Sequence, residues 1–87
     1  MAVEAPPGWT NDGQALVRVF DRGSFNGAIA FVNDVARAAN AMDHHPDITI
    51  SWREVTIRTW SHDVGAITDR DVALAIAIDA LASDSGG

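Results

Sequence analysis

The stretch DHHPDITISWREVTIRTWSH, residues 43–62, decides how this chain folds. Ile48, Ile50 and Trp52 alternate with Thr49 and Ser51; Val55, Ile57 and Thr59 alternate with Thr56, Arg58 and Trp60. A two-residue period of apolar and polar side chains marks a half-buried strand. Arg53-Glu54 between the two runs reads as a tight turn, so the stretch is a β-hairpin with one apolar face. Its ends carry all three histidines of the chain: His44 and His45 before the first strand, His62 after the second. Antiparallel pairing brings those ends back together, so imidazoles far apart in sequence face one region.

Upstream, Pro46 disfavours helical backbone at His45, so a preceding helix ends by about Asp43. Ser24 suits its N-cap, because the hydroxyl can satisfy a free amide of the first turn. From there Phe25, Ile29, Val32, Val35 or Ala36, Ala39 and Met42 recur at steps of three and four, the stripe of an amphipathic helix lying on a sheet. Before that helix, Ala15 to Phe20 reads as a strand with Leu16, Arg18 and Phe20 on one face. Asn11-Asp12-Gly13 is a hairpin turn signal, and Trp9-Thr10 begins a short first strand. Ala5-Pro6-Pro7-Gly8 pairs poorly in a sheet, so residues 1–8 are expected to form a loose arm.

Downstream, Thr68 can cap a final helix whose first turn holds Asp69 and Asp71, where carboxylates suit the positive end of the helix dipole. Val72, Leu74, Ala75, Ile76, Ala77, Ile78, Ala80 and Leu81 then cover nearly its whole circumference, interrupted by Asp79. A helix apolar all round is buried all round. One sheet covers only one side, so the other is expected to pack on further copies of the chain, as a homodimer or homotetramer. Residues 9–82 thus form the single domain and 83–87 a frayed tail. The order β-β-α-β-β-α predicts an α+β layer, a four-stranded antiparallel sheet with both helices on one face.

Composition narrows the function. Eighty-seven residues suffice for one domain. With no cysteine, tyrosine or lysine, histidine is the residue that titrates near neutrality, at about 6.5 when unperturbed. A net charge of −6 and no basic run argue against nucleic acid as a partner. No run approaches the ~20 apolar residues of a membrane span, and Met1 to Gly8 lacks the pattern of a signal peptide; a cytoplasmic protein is expected. Three histidines are enough for zinc, but adjacent histidines rarely share one ion, and no cysteine or His-x-His spacing supports it. No metal is expected.

Taken together, Asp43-His44-His45-Pro46-Asp47, Trp52, Val55-Thr56-Ile57, Ser61-His62-Asp63 and Thr68-Asp69-Arg70-Asp71 resemble the pterin-4a-carbinolamine dehydratase family. Trp9, the Phe20–Phe25 region and Val35-Ala36 share the resemblance, which therefore covers roughly Trp9 to Leu81. It implies removal of water from 4a-hydroxytetrahydropterin to give quinonoid dihydropterin, in pterin recycling, with the pterin as substrate and no cofactor. It implies that His44 and His62 are the acid–base pair and that His45 binds and orients the pterin; which histidine is acid and which is base stays open. Asp43, Pro46, Trp52, Asp63 and Asp71 are the implied substrate-binding residues. Asp63 would favour protonated His62. Asp71 would position a histidine or the pterin's amide edge, or simply stabilise the helix start, and Trp52 is either a pocket wall or core. One departure stands out: where the family usually has glutamate, four residues before the first histidine, this chain has Asn40, which hydrogen-bonds but carries no charge. The competing reading is a non-enzymatic relative, a transcription-factor dimerisation cofactor or an enzyme-assembly chaperone, using the apolar last helix; the complete histidine set favours the enzyme.

Overall fold

The computed structural model describes residues 3–85. Two short strands, β1 (Thr10–Asn11) and β2 (Leu16–Asp21), lead into helix α1 (Phe25–Met42); β3 (Asp47–Ser51) and β4 (Glu54–Thr59) follow, and helix α2 (Asp69–Ser85) closes the chain. The sheet is antiparallel throughout, in the order β1-β2-β4-β3. The expected α+β architecture and element order are therefore what the chain adopts. α1 carries the chain from β2, in the middle of the sheet, to β3 on its far edge.

Both helices pack on the face of the sheet that holds Leu16, Phe20, Val55 and Ile57. Phe31 and Val35 from α1 and Leu74, Ala75 and Ile78 from α2 complete the core with Trp9 and Ala28. Arg18 belongs to this inner face too, and α2 answers it: Asp79 pairs with Arg18 at 3.1 Å and accepts from Trp9 Nε1 at 2.9 Å. The charge that interrupts the apolar surface of α2 is thus turned inward and satisfied. At the β1–β2 connection Asp12 accepts from the backbone N–H groups of Gln14 and Ala15 and from Arg58. Those contacts hold its carboxyl at about 2.

The buried stripe of α1 differs in phase from the expected one. Ala28, Phe31, Val35 and Ala39 are buried, whereas Phe25 is 53% exposed and Ile29 and Met42 also face outward. The two stripes share Val35 and Ala39, so spacing alone does not separate them. What selects the observed phase is Phe31, which stacks on Phe20 with ring centroids 5.0 Å apart, while Ala28 and Ala39 let the helix lie close to the sheet.

The hairpin turn also moves. Ser51 pairs with Glu54, Ile50 with Val55 and Ile48 with Ile57, so the turn is Trp52-Arg53 rather than Arg53-Glu54. Trp52 takes a left-handed φ of 54° and is 70% exposed, so it is not core. A pairing shift of two residues leaves every side chain on the same face, so alternation could not distinguish these registers. At the termini, Ala5 packs against the core and Asn11 donates to the Val3 carbonyl. Helix α2 runs on to Ser85, past the expected end near residue 82. Residues 1 and 2 of the expected arm and 86 and 87 of the expected tail lie outside the described residues.

The phase of α1 has a measurable consequence. Phe31→Ala should destabilise the protein by roughly 3–5 kcal/mol, as aromatic truncations in a core do. Phe25→Ala should change stability by no more than about 0.5 kcal/mol. Urea unfolding of the two variants checks this; comparable losses would mean that both rings are packed.

Candidate active site

The site is built where α1 ends. Asp43 adopts a left-handed backbone (φ 51°), its N–H bonds to the Asn40 carbonyl, and the His44 N–H reaches back to the Ala39 carbonyl at 3.0 Å. This paired closure of a helix C-terminus normally uses glycine at the left-handed position; aspartate, with its short polar side chain, tolerates the same backbone. The chain reversal sends His44 inward, 7% exposed, and leaves His45 at the surface. Pro46 then leads directly into β3.

The opposite wall comes from the segment after β4. Ser61 accepts at its carbonyl from the N–H groups of Val64, Gly65 and Ala66 and forms an isolated bridge with Ala66. This compact turn holds His62 and Asp63 at the open edge. The His62 ring lies 4.0 Å from that of Trp60, tilted by 51°. Asp43, His44, His45, Trp60, His62, Asp63 and Arg70 line one cleft of about 190 Å³. Trp60 is also a wall of a neighbouring hollow of about 410 Å³ with Gly13, Gln14, Asp47, Arg58 and Gly65. Two flanking imidazoles receive partners of different kinds. His45 Nε2 lies 3.0 Å from Asn40 Oδ1, an uncharged acceptor. His44 Nε2 lies 2.5 Å from Asp71 Oδ1, a carboxylate with no exposed surface.

Asp71 is where sequence logic and site chemistry meet. It sits in the first turn of α2 and caps it, accepting from the Thr68 N–H at 2.9 Å, the reciprocal half of a capping box. Thr59 Oγ1 and Ser61 Oγ donate to it at 2.6 and 2.9 Å, and the Ser61 hydroxyl is itself 2.6 Å from that of Thr68. Burial pushes this carboxyl up, but the hydrogen bonds from Thr59, His44, Thr68 and Ser61 together outweigh it and hold the group below its ordinary value. Asp71 is therefore an ionised acceptor directed at His44, and helix-start stabilisation and histidine positioning are one arrangement.

The remaining sequence-predicted residues are placed unequally. Asp63 stands on the cleft rim but pairs with Arg70 at 2.6 Å instead of with His62, and that contact holds its carboxyl below the usual range. Pro46 is not among the lining residues. The structure does not bring Trp52 to the histidines: it occupies the far turn of the hairpin, against Arg53. Sequence reasoning missed Thr59 and Ser61 as holders of Asp71, and Arg70 as a lining residue. For Thr59 a signal existed, since it is a hydroxyl on the strand face that Val55 and Ile57 make apolar. Among the described residues no group of three histidines or carboxylates is placed to hold a metal, and no helix is long and apolar enough to cross a membrane.

Over most of its length the chain is similar to known proteins. Residues 1–81 match the model of the family described as pterin 4 alpha carbinolamine dehydratase. A protein of Thermomicrobium roseum named "Putative pterin-4-alpha-carbinolamine dehydratase" is 48% identical over 77 residues, 88% of this chain and 83% of its own length. A Nocardia farcinica protein of the same name is 46% identical over 81 residues, 93% of this chain and 85% of its own. Among solved structures, a transcriptional coactivator/pterin dehydratase from Brucella melitensis superimposes with a TM-score of 0.81 at 29% identity, covering 87% of this chain and 83% of that one. A pterin dehydratase-like RuBisCO assembly factor of the alpha-carboxysome shares the fold, with a TM-score of 0.69 at 24% identity over 85% of this chain and 86% of that one.

The environment of Asp71 sets a pH dependence. A carboxyl lowered on folding contributes stability that is present above its unfolded value, about 3.9, and is lost as pH falls through its folded value. Asp71→Asn should therefore be less stable than wild type at pH 7, by about 2–4 kcal/mol. The gap should narrow below about pH 4, where the unfolded wild-type carboxyl is protonated. Denaturant titrations at pH 7 and pH 3 check this; a gap independent of pH would contradict it.

Proposed function

The chain belongs to the pterin 4 alpha carbinolamine dehydratase family, and from that membership we propose that it removes water from a 4a-hydroxytetrahydropterin to give a quinonoid dihydropterin. The observation that carries this reading is the meeting of His44, His45 and His62 on one cleft, with an ionised carboxylate behind the first. In the reaction the C4a–O bond breaks with its electron pair, and the departing hydroxyl takes up a proton to leave as water. N5 gives up its proton, and the electron pair of that N–H bond forms the C4a=N5 bond. The step needs one acid, one base and no change of oxidation state, so no metal or organic cofactor is assigned to it.

Asp71 occupies the Nε2 side of His44, so Nδ1 is the nitrogen left for substrate. His44 is accordingly assigned as base at N5–H and His62 as acid at the leaving hydroxyl. His45, held by Asn40, is assigned to orient the ring, a task that uses hydrogen bonding and needs no charge on its partner. The indole of Trp60 offers a flat face for a bicyclic ring, and Asp43 and the Asp63–Arg70 pair sit on the rim. Asp71 is sealed from the cleft and acts through His44. Pro46 serves by directing the chain, and Trp52 is assigned no contact with substrate. A cytoplasmic setting, inferred from the cysteine-free composition, is part of the same proposal.

A second observation favours self-association. Ile76 on α2 is 57% exposed in the single chain, with Ala73 and Ala80 exposed on the same helix. We infer that this surface packs against another copy, giving a dimer or tetramer. The same surface supports the alternative, a partner-binding role without catalysis, but that role gives no reason for three imidazoles on one cleft.

Replacing His44 or His62 with Ala should each slow dehydration by roughly 10²–10⁴-fold, the usual worth of a positioned acid or base. Stopped-flow decay of chemically generated carbinolamine measures this, and a double variant as fast as wild type would sink the assignment. For the assembly, sedimentation velocity at micromolar concentration should show an oligomer for wild type and a monomer for Ile76→Glu. A wild-type monomer would refute association through α2.

A further inference from the structure

Thr59 ends β4 with its side chain on the core face and no exposed surface. Its hydroxyl donates to Asp71 Oδ1 at 2.6 Å, the same oxygen that meets His44 Nε2; Ser61 and the Thr68 N–H use the other oxygen, Oδ2. A carboxylate oxygen that already accepts a hydroxyl proton is a weaker base toward a second donor. Proton transfer from the imidazole to Asp71 is correspondingly disfavoured.

We propose that Thr59 is a positioning residue for His44: by sharing Oδ1 it keeps the ring proton on Nε2, leaves Nδ1 as the nitrogen presented to substrate, and limits how strongly Asp71 draws positive charge onto the ring. The inference rests on the proposed role of His44 and adds to it the group that sets the strength of its carboxylate partner. The other titratable or charged groups around His44 are Asp43 and His45 on its own segment and His62, Asp63 and Arg70 across the cleft. Asp63 and Arg70 are engaged with each other. Oδ1 of Asp71 is therefore the charge in direct contact with the ring, and Thr59 is the neutral group that shares it.

NMR of the full chain with ¹⁵N-labelled histidine reads the tautomer and titration midpoint of His44 without reference to activity. Neutral wild-type His44 should be the Nε2–H tautomer. Thr59→Val keeps the shape and removes the donor, so Asp71 should pull harder on the imidazolium. The His44 midpoint should then rise by roughly 0.4–1 pH unit, the equivalent of one hydrogen bond. The matching limb of the kcat–pH profile should move the same way with KM within about twofold, and Thr59→Ser should restore both. An Nδ1–H tautomer in the wild-type protein overturns the proposal, and that measurement decides even where Thr59→Val does not fold. An unchanged midpoint in a folded Thr59→Val variant overturns it equally. Absent dehydration, with His44 titrating as described, would overturn the catalytic reading and leave the Thr59–Asp71–His44 relation standing.

Discussion

A carboxylate with no exposed surface is among the more costly groups to bury, and it is tolerated when its lone pairs are filled. Asp71 meets that condition with donors from three directions: Thr59 at the end of β4, Ser61 and Thr68 on the loop that follows, and His44 at the end of α1. The requirement works in reverse as a constraint on the fold. The start of α2, the end of the hairpin and the end of α1 must all converge for this one group to be satisfied. The same convergence brings His44 to the histidine on the opposite wall, so site geometry and fold closure have a common cause.

The rest of the site follows from how α1 stops. A helix that frayed, or ran on by one residue, would rotate His44 away by about 100° and leave Asp71 short of a donor. The left-handed Asp43 and the proline two residues past His44 together prevent both. The adjacent histidines thereby acquire opposite environments, one inside against a carboxylate and one outside against an amide, from a single reversal of the backbone.

Much of this was legible in the sequence because the relevant signals are local. Ser24 as a cap, Pro46 as a stop, the alternation over Ile48–Ile50 and Val55–Ile57 and the hydroxyl-x-x-acid start of α2 each have one short-range explanation, and the element order follows from them. What was not legible depends on partners distant in sequence. The phase of α1 was settled by Phe31 meeting Phe20, across the turn from a strand, and the hairpin register by direct opposition of isoleucines and valine. Neither leaves a trace in spacing. Asp63 looks like a partner for His62 because the two are neighbours in sequence, yet Arg70, in the first turn of the next helix, takes it. Asp79 and Thr59 are the instructive cases: each is a polar residue on an otherwise apolar face, and each proves to face a specific buried partner.

The three tryptophans occupy three unlike surroundings: Trp9 inside and bonded to Asp79, Trp52 open to water in the hairpin turn, and Trp60 against the His62 ring. Protonated imidazole quenches indole emission. Of the three indoles, Trp60 is accordingly the one placed to sense a neighbouring imidazole, whereas the buried Trp9 depends on the integrity of the core and Trp52, already in water, has least to change on unfolding. The molecule carries its own optical probe at the place where its chemistry is assigned.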